Sequence, residues 1–121
     1  MIIAPNLTSL KGVWTILNNA GALPTSQLTS LDGPRLEVKI AGYNFAGLAQ
    51  APNSALVVSA GVYNFPALQS APGAAVTVSG TGVSANLNAL RDLTLGSLTL
   101  ANGGTASANT LSNVDGASFL V

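Results

Sequence analysis

Four carboxylates are the side chains of this sequence that could do acid–base chemistry or bind a metal ion: Asp32, Glu37, Asp92 and Asp115. General acid–base catalysis needs a histidine or two carboxylates held close together, and the chain has no histidine. Asp32 and Asp115 each precede a glycine, which predicts Asp-Gly turns. The alternative is a calcium ligand, but calcium needs several oxygens and no cluster of acids is visible. We therefore predict that the chain is not an enzyme and holds no metal ion or cofactor.

The other polar residues give no catalytic motif. Serine and threonine hydroxyls are numerous, but a hydroxyl nucleophile needs a basic partner beside it. The glycine-rich stretch 102–105 lacks the lysine of a phosphate-binding loop. Arg91 and Asp92 are adjacent and predict an ion pair, either solvated or at an interface.

The low charge of the chain limits its partners. Only 7% of its 121 residues are charged, against about 25% in an ordinary soluble domain, and the net charge is zero. The absence of a basic patch argues against nucleic acid, and no apolar run approaches the roughly 20 residues of a membrane span. A chain with so few charges has little to keep copies apart. We therefore predict that copies of itself or a partner cover much of its surface.

These side chains must be positioned by a repeated element, and the repeat is clearest at 43–59 and 63–79. The two segments share nine of seventeen residues, beginning with Tyr-Asn-Phe, and each runs into an apolar alternation. Weaker copies of the phrase, an apolar-x-x-apolar corner followed by an apolar-x-apolar strand, begin at residues 7, 28, 87 and 111. A period near 20 residues is typical of stacked coils.

The repeat predicts a mainly β fold in a single domain spanning 1–121, a short parallel β-solenoid of about six irregular coils of about 20 residues. One coil cannot bury its own apolar face, whereas stacked coils form a continuous core. The alternative is an antiparallel β-sandwich or jelly roll, because short strands with frequent turns also fit it. Two windows, 8–17 and 86–95, are candidates for a turn or two of helix.

The corner-and-strand phrase resembles the leucine-rich-repeat family. Its outline is matched by Leu28 and Leu31 with Leu36 and Val38, and again by the copies beginning at 65 and 87. The asparagine that closes each repeat of the family is missing, since Ser79 follows Val78. A parallel β-helix with a similar coil length fits the same residues, so the predicted solenoid is either leucine-rich-repeat-like or a β-helix. The resemblance to the leucine-rich-repeat family implies a binding or scaffolding role, since that family is mostly non-catalytic.

The aromatic residues and the two ends of the solenoid are the candidate contacts. Phe45 and Phe65 occupy equivalent positions and are predicted to lie in the core. Tyr43 and Tyr63 form a second equivalent pair, which is either buried or exposed as a contact for a sugar or a partner. The candidate interface residues are Trp14, Tyr43, Tyr63, Phe119, Leu120 and Val121.

These observations predict a non-enzymatic structural protein of a large assembly. The assembly we favour is a virus or phage virion, with the chain as a capsid decoration or cement protein or as a tail or spike protein. Its partners are then itself, in a homo-oligomer such as a trimer, and a larger structural protein such as a capsid or tail subunit. The alternative is an adhesin or a receptor- or glycan-binding β module, located outside the cell or at its surface.

Overall fold

A computed structural model describes residues 3–19 and 23–121, and these residues form β-strands and turns without a helix. Within these ranges, no helix is long and apolar enough to cross a membrane. The strands are β1 (Ser9–Leu17), β2 (Ser30–Val38), β3 (Ala55–Val58), β4 (Val62–Asn64), β5 (Ala75–Ser79), β6 (Ser84–Asn86), β7 (Ser97–Ala101), β8 (Thr105–Ser107) and β9 (Ser118–Leu120).

All strand pairs are parallel, and the strands form two sheets that run along a β-solenoid of about five turns. The main sheet has the order β1-β2-β3-β5-β7-β9, and the small sheet has the order β4-β6-β8. A row of single bridges, from Ser30 through Gln50, Ser70 and Asp92 to Asn113, runs along a third side. The parallel solenoid is thus confirmed and the antiparallel sandwich is wrong.

The core consists of apolar columns that run from coil to coil. On the main sheet, Leu36, Leu56, Val76 and Leu98 are successive register partners. Every second residue of these strands points inward, and this alternation produces the apolar-x-apolar pattern that predicts the strands from the sequence. Leu36, Leu56 and Val76 are fully buried, whereas Leu98 is only partly buried because fewer coils lie beyond it.

Two local expectations differ from the structure. The helix candidate 8–17 is almost entirely strand β1, and 86–95 contains no helix, since their apolar residues join columns shared with other coils. The small sheet occupies the side where a leucine-rich repeat would carry a helix or 3₁₀ turn. The fold is therefore a parallel β-solenoid without that helical side.

Each coil turns into the main sheet at one residue with positive φ, and we call this turn the left-handed corner. Its six residues are Gly12, Gly33, Asn53, Gly73, Leu95 and Gly116, with φ between 43° and 70°. Glycine adopts this conformation without strain and asparagine tolerates it, so Leu95 is the exception. The backbone N–H groups of Asn53, Gly73 and Leu95 donate to carbonyl oxygens of the next coil at 2.7–2.9 Å.

Candidate interaction site

The paired aromatic residues lie inside the solenoid. Phe45 and Phe65 stack with ring centroids 5.6 Å apart and are 1% exposed, which confirms them as core. Tyr43 is 9% exposed and Tyr63 is 2% exposed, and each lies beside these rings. The interpretation of Tyr43 and Tyr63 as exposed contacts for a sugar or partner is therefore wrong, because both rings extend the apolar column of their own coil.

The phenol groups of both tyrosines hold the chain of the preceding coil. The Tyr63 hydroxyl donates to the Ile40 carbonyl and accepts from the Tyr43 backbone N–H at 3.3 Å, and the Tyr43 hydroxyl donates to the Asn19 carbonyl. Burial raises the pKa of Tyr63, because the charged phenolate is poorly solvated there. These hydroxyls satisfy buried backbone groups, so their role is structural.

Arg35 and Glu37 of β2 and Lys39, which directly follows it, form a charged cluster on the outward face of the main sheet. The Glu37 carboxylate accepts from the Arg35 guanidinium, and its other oxygen lies 3.5 Å from the Lys39 amine. The hydrogen bond from Arg35 is the main reason that the pKa of Glu37 is lowered. The Arg35 guanidinium also lies 5.6 Å from the centre of the Trp14 ring on β1. Trp14 is thus held in place although its side chain is 64% exposed.

The remaining acids have separate structural positions. Asp115 and Asp32 each precede a left-handed corner glycine, Gly116 and Gly33, as the predicted Asp-Gly turns, although Asp32 also belongs to β2. The Asp92 carboxylate accepts from the Thr94 hydroxyl at 2.6 Å and from its backbone N–H at 2.9 Å, which lowers the pKa of Asp92. The ion pairs among the described residues are Arg35–Glu37 and Lys39–Glu37, so Arg91 and Asp92 form no ion pair within the chain. An ion pair of these residues across an interface remains a prediction. No group of three potential metal ligands occurs in the described part of the chain.

The described residues line one very small pocket and several open grooves. A pocket beside Leu10, Leu31 and Leu36 has a volume of about 10 Å³, which is room for a single water molecule. Open grooves run along the small sheet, lined by residues such as Asn64 and Asn86, and one of them extends to Asn44 and Ala46 in the preceding coil.

The C-terminal coil continues the core columns but is exposed. Phe119 on β9 is the register partner of Leu98, yet it is 51% exposed. Leu120 and Val121 are 65% and 96% exposed, and Val114 is also exposed. The predicted candidates Trp14, Phe119, Leu120 and Val121 are all on the surface, at opposite ends of the main sheet. Their role as an interface remains a prediction.

A second feature of this coil, its set of backbone N–H donors, has no signal in the sequence. In earlier coils, the N–H groups of Leu31, Ala51, Ala71 and Leu93 donate forward to the next coil at 2.9–3.0 Å. Val114 and Gly116 are the counterparts of Leu93 and Leu95, and the described residues contain no further coil to accept from them. Only the register, which depends on unequal coil lengths, identifies these groups.

No family model, curated protein or solved structure matches the chain, so nothing supports the leucine-rich-repeat name specifically.

Proposed function

We propose that this chain is a non-enzymatic structural module that works in several copies, joined through the ends of its solenoid. The observation that carries the proposal is the C-terminal coil, in which Phe119 and Val114 continue core columns but face solvent. Such an edge combines apolar side chains with backbone groups that lack a neighbouring strand. A second coil placed over this edge buries the apolar side chains and provides hydrogen-bond partners for the backbone groups.

The surface elsewhere supports the same proposal. Beyond β2, the outward face of the main sheet carries small, uncharged residues such as Ala55, Thr77 and Thr99. The eight charges of the chain are too few to oppose association between copies. A scaffolding role is also what the leucine-rich-repeat resemblance implies.

The assembly we propose is a virion, with the chain as a decoration, cement, tail or spike component. This step depends on the uncharged composition rich in alanine, glycine, serine and threonine, and the geometry adds only the exposed coil ends. The alternative, a glycan- or receptor-binding module, relied on Tyr43 and Tyr63 as contacts. Both are buried, so that alternative loses the residues on which it depended.

The test is the mass of the purified chain by light scattering over a concentration series. We expect oligomers whose mass rises with concentration, and we expect Leu120→Ser to weaken them. Val62→Ser is the matched control, because Val62 is 67% exposed, much like Leu120, but lies on the small sheet away from both ends. A monomer at every concentration, or an equal effect of the two substitutions, would refute the proposal.

A further inference from the structure

We infer that copies of this chain associate head to tail, with β9 of one copy pairing in parallel with β1 of the next. The inference rests on the proposed function and assigns its geometry. Both strands lie at the edges of the main sheet, where no described strand pairs with their outer side. In a parallel stack, every coil pairs with the next one through the same two edges. The outer edge of the last coil can therefore pair in the same way with the outer edge of the first coil of another copy. A head-to-tail contact therefore continues the existing hydrogen-bond pattern.

The register within the chain fixes the register of this contact. Ser9 is connected through Ser30 and the row of bridges to Asn113, so these two residues are counterparts on the first and last coils. Counting along the main sheet, Ile16 corresponds to Leu120. Two residues after Ser9 and Asn113, Lys11 corresponds to Asp115, as the hydrogen bonds at the left-handed corners also require. In a head-to-tail pair, each of these residues lies opposite its counterpart on the neighbouring copy.

Two inward apolar columns then continue from one copy to the next, whereas Phe119 lies opposite Thr15. Val114 lies against Leu10 and Leu111 against Leu7, and all four are at least partly exposed in the single chain. On the outward face, Leu120 lies beside Ile16, which is 47% exposed. The contact thus removes apolar surface from water at both ends together, which is the main force available to this nearly uncharged chain.

The unpaired backbone donors of the C-terminal coil also find acceptors. Within the chain, a backbone N–H that donates to the next coil binds the carbonyl oxygen of the residue paired with the position just before the donor. The Leu93 N–H donates to the Asn113 carbonyl, which is paired with Asp92, and the Leu95 N–H donates to the Asp115 carbonyl. By this rule, the Val114 N–H donates to the Ser9 carbonyl of the next copy. The Gly116 N–H donates to its Lys11 carbonyl.

Charge distinguishes this arrangement from a symmetric one. Asp115 of one copy lies opposite Lys11 of the next, and Lys11 already has Asp32 as its register partner on the other side. Lysine then stands between two carboxylates. The residues of β1, β2 and their flanks carry a net charge of +1 and those from Arg91 onward carry −1. A two-fold contact between two C-terminal coils would bring together two ends that each carry a net charge of −1. It would also make the facing strands antiparallel, so that the left-handed corners of the two copies would no longer be aligned.

A charge exchange tests the Lys11–Asp115 contact. Lys11→Asp and Asp115→Lys each place like charges opposite one another between copies, and we expect each to lower the association constant by roughly two- to fivefold, the range of an exposed ion pair. The double variant keeps the net charge at zero and restores opposite charges, so we expect it to associate more strongly than either single variant. An association constant as low as that of the single variants would overturn this contact.

Cysteine cross-linking tests the register directly, because the natural chain has no cysteine. Neighbouring strands are about 4.8 Å apart, within disulfide range, whereas positions 11 and 115 of one copy are separated by about five such spacings. Under mild oxidation, we expect Lys11→Cys/Asp115→Cys to give a ladder of covalent oligomers. We expect each single variant to stay uncross-linked, an equimolar mixture of the two to give dimers only, and the control Asn64→Cys/Asp115→Cys to give no ladder.

The outcomes separate this inference from the proposed function. Dimers formed by Asp115→Cys alone would show a tail-to-tail contact and overturn the head-to-tail register, while self-association would stand. Oligomers seen by light scattering, without cross-linking between positions 11 and 115, would likewise overturn the head-to-tail register and leave self-association standing. A chain that stays monomeric in light scattering and gives no ladder would overturn both.

Discussion

Leu95 should be the position at which this fold is most easily stabilised. It is the only left-handed corner residue that is neither glycine nor asparagine, with φ of 59°. An ordinary side chain in this conformation costs about 1–2 kcal/mol, and asparagine tolerates it better. The Leu95 side chain is 74% exposed, so its replacement loses little buried apolar surface. Asn53 shows that the same turn accepts asparagine.

We expect Leu95→Asn to raise the free energy of unfolding by about 1 kcal/mol, most of the strain being released. For a chain of 121 residues, this corresponds to an increase in Tm of about 4 °C. Leu95→Gly should stabilise less, because glycine raises the conformational entropy of the unfolded chain and this offsets about 0.4–1 kcal/mol of the gain. The assay is thermal and urea unfolding followed by circular dichroism at a concentration low enough to limit association.

Leu95→Ala is the control, since alanine removes the exposed leucine but keeps the backbone strain. We expect it not to stabilise the fold. If Leu95→Ala stabilised as much as Leu95→Asn, the gain would come from removing an exposed apolar side chain and not from the backbone. A lower Tm for Leu95→Asn would refute the reasoning altogether.

Three further predictions concern the core and the charged cluster. Phe65→Ala should lower the free energy of unfolding by about 3–5 kcal/mol in urea unfolding, and Phe65→Leu by much less, since Leu87 fills the equivalent position one coil later. The raised pKa of Tyr63 contributes stability below the unfolded value, near 10.0, that is lost as the pH rises through the folded value. Tyr63→Phe should therefore flatten the fall of Tm at alkaline pH, and an unchanged slope would contradict this. The lowered pKa of Glu37 contributes stability above its ordinary value of 4.5 that is lost as the pH falls through the folded value. Glu37→Gln should flatten the acid side of the Tm profile, and an equally steep acid limb in the variant would argue against the Arg35 contact.

The sequence predicted the main sheet well because its signal is local. Leu56 and Val58, like Val76 and Val78, alternate with outward residues, and the same corner phrase precedes each pair. The small sheet was not predicted, because its strands have only three residues and its inward positions change from Tyr63 to Ala85 and Ala106. Strands this short carry too little pattern to be told from turns.

The candidate contacts were predicted only in part. Exposed Trp14 and Phe119 follow from their places in the first and last copies of the repeat. Tyr43 and Tyr63 were open to both interpretations, because equivalent spacing puts two side chains in one column without saying whether that column faces inward. Their hydroxyl partners, the carbonyls of Asn19 and Ile40, lie more than 20 residues away along the chain.

By itself, the sequence determined the coil length, the apolar columns and the low charge, because each depends on residue type and spacing along the chain. The tertiary structure decided which residues meet across coils, because coils of 20, 21 and 22 residues keep register only through compensating turns. That register aligns the left-handed corners, places strain at Leu95 and makes Lys11 the counterpart of Asp115. These relations join residues from separate coils, so they emerge only once the coils are stacked.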